Sequence, residues 1–73
     1  MLRYSYRMAE AWQNCDRFNR QYPPGNRMTL SYPEEPSKTV TLVGEAYALP
    51  NGNPVVQIKE QVYPVAINQL API

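Results

Sequence analysis

The sequence predicts an all-β fold, a small closed barrel of four or five antiparallel strands with a short N-terminal helix. Eight prolines in 73 residues are about twice the average usage of ~5%. They are spaced from Pro23 to Pro72 between short apolar runs, and proline is excluded from helix interiors and central strand positions. Several of these runs alternate with a period of two, as half-buried strands do. Pro50-Asn51-Gly52-Asn53 adds a clear turn, since Asn-Gly tolerates positive φ at both central positions.

The length allows one domain, with residues 1–24 as an arm and helix packed on a barrel formed by residues 25–73. Helical spacing begins at Met8 and continues through Ala11, Trp12, Cys15 and Phe18 or Asn19. It predicts a helix of two to three turns that ends at Pro23-Pro24-Gly25. We expect Trp12 to pack on the barrel, because so short a helix is unstable alone. The alternation over residues 2–8 predicts an initial strand or an extended arm.

Strands are predicted in chain order at residues 27–32, 39–49, 55–58 and 62–67. Gly44 interrupts the second of these, where a bend would let one strand serve two sheets. A single helical turn at residues 68–70 precedes a last strand. The predicted core is Met28, Leu30, Val40, Leu42, Ala46, Val56, Ile58, Val65, Ile67 and Leu70.

Charge is unevenly distributed along the chain. Five arginines against two acidic residues give +3 over residues 1–27, and two lysines against four glutamates give −2 over residues 28–73. The net charge of +1 provides no overall attraction for nucleic acid or an anionic membrane. No apolar run approaches the ~18 residues of a membrane span. The N-terminus is too polar for a signal peptide, and a lone cysteine fits a reducing compartment, so we expect a cytoplasmic protein.

Few residues of this chain are suited to catalysis. There is no histidine, which excludes serine–histidine triads, cysteine–histidine dyads and ordinary zinc sites. Cys15 is interpreted as a small buried hydrophobe. Glu34-Glu35 lies between prolines and is interpreted as a solvated loop rather than an acid/base pair. We therefore predict no catalytic residue, metal site or cofactor, and favour a non-enzymatic function.

Residues 38–73 resemble small SH3-like barrel proteins of phages and mobile elements. The resemblance rests on Gly44-Glu45-Ala46, on residues 54–58 and on residues 65–72. Most proteins of that kind have no assigned activity. The resemblance therefore implies an SH3-like barrel and a phage or mobile-element origin, and it implies little about a reaction.

Gln61-Val62-Tyr63-Pro64-Val65-Ala66 is similar to the active-site segment of the plasmid-borne type II dihydrofolate reductases. Those enzymes are SH3-like barrels that assemble as tetramers around a central pore. The similarity implies that Gln61 and Tyr63 line a pore that binds folate and a nicotinamide cofactor. The spacing from Tyr63 to the final leucine is two residues longer than in that family, so the alternative is that Tyr63 lies in a turn. That family needs a pore lysine two residues after the position matched by Met28, and this chain has Leu30. A reductase-like pore enzyme is therefore the second functional hypothesis.

Tyrosines provide the leading binding hypothesis. Tyr32, Tyr47 and Tyr63 are predicted to converge at one end of the barrel, with Gln61 beside Tyr63. Tyrosine suits a binding patch, because it offers a large apolar surface with a polar tip. Each could equally be a half-buried strand residue. This reading predicts an interaction module that binds a protein partner, with a homo-oligomer as a further possibility.

Arginines and aromatic residues alternate in the N-terminal segment. Arg3, Arg7, Arg17 and Arg20 are interleaved with tyrosine, tryptophan and phenylalanine, a mixture that could grip phosphates and stack on bases of single-stranded nucleic acid. The alternative is that the aromatics pack the helix while the arginines keep its outer face hydrated. A charge of +3 is low for a nucleic-acid interface, so this is the weakest of the three functions.

Overall fold

The N-terminal helix is longer than the sequence predicts. The structure, a computed structural model, describes residues 3–59 and 61–73. Helix α1 spans Arg3–Gln21, about five turns, and ends just before Pro23-Pro24. The predicted strand or arm over residues 2–8 is wrong for residues 3–8, and Leu2 lies outside the described residues. The period-two pattern was misleading because nothing in this segment breaks a helix, and Met8 extends the stripe of Ala11 and Cys15 by one turn.

One stripe of α1 faces the core. Ala11, Cys15 and Phe18 are buried, at the i, i+4, i+7 spacing of one helical face. Trp12 is 45% exposed, so somewhat more than half of its surface is covered, and its packing on the sheets stays a prediction. Each residue turns about 100° around a helix, which places Trp12 at the margin of the stripe that Ala11 and Cys15 define.

Six short strands and a single 3-10 turn follow the helix among the described residues. Their bounds are β1 Arg27–Leu30, β2 Lys38–Thr41, β3 Tyr47–Ala48, β4 Pro54–Val56, β5 Val65–Ala66, the 3-10 turn Ile67–Gln69 and β6 Leu70–Pro72. The first sheet has the order β2-β1-β6 and the second has the order β3-β4-β5. All pairings are antiparallel, with Met28 opposite Val40 and Val55 opposite Tyr47.

The two sheets do not close into a barrel. The described residues form one helix of 19 residues and two three-stranded antiparallel sheets, so the fold is a mixture of α and β, and the predicted all-β SH3-like barrel is wrong. Strand length explains the difference. β3 and β5 contain only two residues each, and the predicted strand over residues 62–67 is reduced to Val65–Ala66. An isolated antiparallel bridge between Leu42 and Ile58 joins the sheets.

The predicted long strand over residues 39–49 bends as expected. Its first part is β2 in the first sheet and its last part is β3 in the second, with Gly44 between them. The segment before the bend is bonded on both sides. Leu42 N–H donates to the Asn26 carbonyl (2.9 Å), and Val43 N–H donates to the Gln57 carbonyl (3.1 Å). The backbone before the bend is thereby hydrogen-bonded both to the residue before β1 and to the residue after β4.

The β3–β4 hairpin contains the predicted Asn51-Gly52 turn. Leu49 N–H donates to the Asn53 carbonyl (2.9 Å), and Gly52 N–H donates to the Leu49 carbonyl (2.8 Å). Gly52 has φ +87°, whereas Asn51 does not have positive φ. Pro50 has its φ fixed near −65°, so the loop uses three residues with glycine in the left-handed position rather than two residues with positive φ.

The core lies between α1 and the two sheets. Eight of the ten predicted core residues are buried, and Ile67 and Leu70 are half-buried against them. Cys15 is buried as predicted, whereas Phe18 and Val55 are buried but absent from the predicted core. In the described part of the chain, no helix is long and apolar enough to cross a membrane.

Candidate binding surface

Two of the three predicted tyrosines lie at the same end of the second sheet. Tyr47 begins β3, and Tyr63 precedes β5 by two residues. Because neighbouring strands are antiparallel, β3 and β5 begin where β4 ends. Tyr32 follows β1 in the other sheet and is half-buried against the core. Within the described residues no ring contact joins these three tyrosines, and the only aromatic pair is Phe18 with Tyr22.

The loop between β4 and β5 is held by glutamine side chains. Gln57 Nε2 donates to the Gln61 carbonyl (2.6 Å) and to the Ile58 carbonyl (3.3 Å). Gln61 Nε2 in turn donates to the Tyr63 carbonyl at 3.5 Å. The side chain of Gln61 is thus turned into its own loop, and Tyr63 lies in a bend rather than on a strand.

Four exposed apolar side chains lie at this end of the second sheet. Val62 is 85% exposed and Tyr63 is 78% exposed, while Tyr47 and Val43 are also exposed. Val43 belongs here because its N–H donates to the carbonyl of Gln57, which directly follows β4. We name Val43, Tyr47, Val62 and Tyr63 the apolar end.

Sequence reasoning identified half of the apolar end. Val62 was assigned to a strand, in which it would be covered. Pro64, between Tyr63 and Val65, was the sequence feature that argued against a strand including Val62. Proline lacks the N–H that strand pairing requires and is disfavoured within central strands. Val43 is out of phase with the buried Val40 and Leu42, so the period-two alternation already turns it outward.

Of the described arginines in the predicted nucleic-acid site, Arg17 and Arg20 line one shallow cleft, whereas Arg7 lies against the β3–β4 hairpin. Arg7 Nε donates to the Asn51 carbonyl (2.9 Å), so this side chain contacts the β3–β4 hairpin. Arg17 Nη2 donates to Asn14 Oδ1 (3.2 Å), and Arg20 is exposed on the outer face of α1. Asp16 lines the same shallow cleft as Arg17 and Arg20 and offsets part of their charge. The side chain of Arg3 lies outside the described part of the structure.

A groove lies beside the helix. Its volume is about 440 Å³, and it is lined by Asn14, Arg17, Phe18, Gln21, Pro54, Ile67 and Asn68. Amide groups and one guanidinium lie beside the apolar side chains. Sequence reasoning missed this groove, because it joins α1 to residues that are 33 to 54 positions away along the chain.

Residues with catalytic chemistry are either buried or dispersed. Burial raises the pKa of the Cys15 thiol, and the adjacent Asp16 carboxylate raises it further, so the thiol is protonated at neutral pH. A protonated, inaccessible sulfur is a poor nucleophile. Glu34 and Glu35 are exposed in a turn closed by Glu35 N–H to the Tyr32 carbonyl (3.2 Å), as the predicted solvated loop requires. The described residues contain no group of three side chains suited to holding a metal ion.

Leu30 bears on the reductase resemblance. It is buried in the core and not exposed on a surface that could line a pore. The chain matched no family model, no curated protein and no solved structure. The resemblances to SH3-like phage proteins and to type II dihydrofolate reductases therefore rest only on the segments that suggested them.

Proposed function

We propose that this chain is a non-enzymatic protein-binding module whose contact surface is the apolar end. The observation that carries the proposal is the exposure of two adjacent apolar side chains, Val62 and Tyr63, on a loop that Gln57 holds in place. Burying a side chain of this kind contributes ~1.5–3 kcal/mol. A protein partner that covers both side chains would therefore gain a substantial part of its binding free energy from this contact.

The restrained loop supports binding in a second way. Association costs ~0.5–1.5 kcal/mol for each flexible side chain that it immobilises. The bonds from Gln57 and Gln61 fix the loop backbone before any partner arrives. Tyr47 and Tyr63 add rings that have few rotamers and carry hydroxyls, a composition typical of interface anchors.

The partner class is a protein with an apolar patch of its own, and a second copy of this chain is one candidate. A phage or mobile-element origin stays a prediction. The reductase and nucleic-acid functions also stay predictions, because no described contact favours either of them. Leu30 is buried, and Arg7 is bonded to the hairpin.

Site-specific photocrosslinking tests the proposal. Benzoylphenylalanine replaces Tyr63 in one variant and Tyr6 in another. Tyr6 is a matched control, since it is also a tyrosine and is 84% exposed, but lies on α1 away from the apolar end. Purified protein and extract from the source cells are irradiated separately. We expect a discrete adduct from position 63 and none of the same mass from position 6.

Mass spectrometry then distinguishes the partners. An adduct in purified protein shows a second copy of the chain, and one that needs extract shows a different protein. Val62→Ser should reduce the adduct at least about fivefold, the factor expected when a buried apolar contact of ~1 kcal/mol is lost. Equal adduct yields from both positions would exclude the apolar end as the contact surface. An adduct yield from position 63 that Val62→Ser does not change would exclude it as well.

A further inference from the structure

The turn of the β3–β4 hairpin carries a reactive sequence that the binding function does not use. The chain has six asparagines, and only Asn51 is followed by glycine. Glycine at the next position leaves the backbone nitrogen open to approach the asparagine side chain, because it has no Cβ. Helix α1 lies against this turn, since Arg7 Nε donates to the Asn51 carbonyl at 2.9 Å.

We propose that Asn51 is a site of spontaneous deamidation whose rate is controlled by the docking of Arg7 on the hairpin. In the first step the nitrogen of Gly52 attacks Cγ of Asn51, an N–C bond forms, and the N–H proton passes to water. The C–N bond of the side-chain amide breaks, the departing nitrogen takes up a proton from water, and ammonia leaves. Water then opens the five-membered succinimide at either carbonyl to give aspartate or isoaspartate. No oxidant or reductant takes part.

The folded turn restrains both reacting groups. Gly52 N–H donates to the Leu49 carbonyl (2.8 Å), so its nitrogen is engaged. Asn51 Oδ1 accepts from Asn53 N–H (3.0 Å), which fixes the orientation of the side-chain amide. Attack requires both bonds to break, and therefore requires local opening of the hairpin.

Arg7 adds a third restraint. A Cβ placed on Gly52 would lie 2.5 Å from Arg7 Nε and 2.7 Å from Arg7 Cγ, so the arginine side chain covers the glycine closely. The guanidinium also holds the Asn51 carbonyl. The turn can open only if this side chain moves away, which links the reaction rate to the contact between helix and hairpin.

The two products would affect this contact differently. Aspartate preserves the backbone and places a carboxylate close to the guanidinium of Arg7. Isoaspartate inserts an additional methylene into the backbone of the three-residue loop. That insertion is incompatible with the bonds from Leu49 to Asn53 and from Gly52 to Leu49. Deamidation would thereby loosen the hairpin end of the second sheet.

Peptide mapping of aged protein tests the proposal. Wild-type protein is incubated in mildly alkaline buffer, folded and in concentrated urea, beside folded Arg7→Gln. Arg20→Gln is the matched control, since it removes the same charge from an exposed position on α1. The products at residue 51 are quantified as asparagine, aspartate and isoaspartate, and circular dichroism verifies the fold of each variant.

We expect conversion in urea to be at least about tenfold faster than in the folded wild type. Loss of one hydrogen bond changes a local-opening equilibrium roughly threefold to tenfold. The conversion rate of Arg7→Gln should therefore exceed that of Arg20→Gln by this factor. Arg7→Lys keeps the charge without the Nε donor and should lie between wild type and Arg7→Gln. The proposal is overturned if residue 51 remains asparagine in urea, or if both Arg7 variants convert no faster than Arg20→Gln.

Discussion

The two sheets differ in how their strands are covered. In the first sheet, burial alternates along β1, with Met28 and Leu30 buried and Arg27 exposed. One face of that sheet therefore supplies the core and the other meets solvent. In the second sheet, the successive residues Val55 and Val56 are both buried, although they point to opposite faces of β4.

This difference shows what α1 contributes. Strands of two or three residues are at the lower limit of strand length, and a small sheet needs packing on another element for stability. Helix α1 packs against β3 and β4. It is also tied to both ends of β3 by hydrogen bonds, with Asn19 bonded to Ala46 and Arg7 to Asn51. The second sheet depends on the helix in a way that the first does not.

The largest expected effect comes from Asn19→Ala, which removes the bonds between α1 and the start of β3. Ala46 N–H donates to Asn19 Oδ1 (2.7 Å), and Asn19 Nδ2 donates to the Ala46 carbonyl (3.2 Å). Each of the two backbone groups left unpaired in this partly buried position should cost ~1–3 kcal/mol in urea unfolding. Hydrogen exchange should accelerate at Ala46 and Val56 more than at Met28.

Asn14→Ala is the control for that variant. Asn14 is a half-buried residue of the same helix, and its side chain bonds Arg17 rather than a sheet. We expect its effect to stay within about 0.5 kcal/mol. Uniform acceleration of exchange in both sheets would show that they do not differ in their dependence on the helix.

Two glycines with positive φ sharpen the comparison, since Gly25 precedes the first strand of the first sheet and Gly52 lies in the hairpin of the second sheet. Gly25 has φ +94° and open space at its Cβ position, whereas Gly52 has φ +87° and Arg7 against it. Gly25→Ala should cost ~1–2 kcal/mol for the left-handed backbone alone. Gly52→Ala should cost about 1 kcal/mol more, because it also displaces Arg7 and its hydrogen bond to Asn51.

A double-variant cycle isolates the part of the Gly52→Ala cost that comes from displacing Arg7. In an Arg7→Ala background, Gly52→Ala should cost no more than Gly25→Ala costs in the wild type, as measured by urea unfolding of the five proteins involved. Equal costs for the two glycines in the wild-type background would contradict the packing of Arg7 on the hairpin.

The smallest effect concerns Cys15, which lies in the core that both sheets share. Burial raises the pKa of its thiol in the folded state, with a further contribution from Asp16. Above the ordinary thiol pKa of ~8.5, the unfolded chain loses this proton while the folded chain keeps it. The free energy of unfolding should therefore decline as the pH rises through that value.

Urea titrations at several pH values measure this decline, and Cys15→Ala provides the reference. The variant should be less stable at neutral pH but should show a shallower decline at alkaline pH. A parallel pH dependence in the two proteins would show that the thiol is not shielded in the folded state.

Local signals in the sequence predicted local structure well. The alternation of Met28 and Leu30 predicted β1, and Gly44 and Gly52 predicted the bend and the hairpin turn. Closure of the two sheets into a barrel depends instead on how many residues in each segment are paired with a neighbouring strand. Pro54 and Pro64 restrict β4 and β5, and this restriction was visible in the sequence but was outweighed by the apolar pattern.

Long-range contacts could not be predicted. The bond partners Asn19 and Ala46 are 27 residues apart, and the helical pattern offered Asn19 only as an alternative to Phe18 without indicating its partner. The residues of the apolar end differ in the same respect. Tyrosines at positions 47 and 63 are conspicuous in any sequence, whereas the exposure of Val62 follows from the bend in the loop before β5.

The contact between Asn19 and Ala46 also protects a free strand edge. Successive residues of a strand direct their N–H and C=O groups to opposite edges, so the groups of Ala46 point away from β4 when those of Tyr47 face it. The side-chain amide of Asn19 occupies this outer edge as a neighbouring strand would. Unprotected edges recruit other chains into aggregates. Asn19 thus blocks the outer edge at which the second sheet could pair with a strand of another molecule.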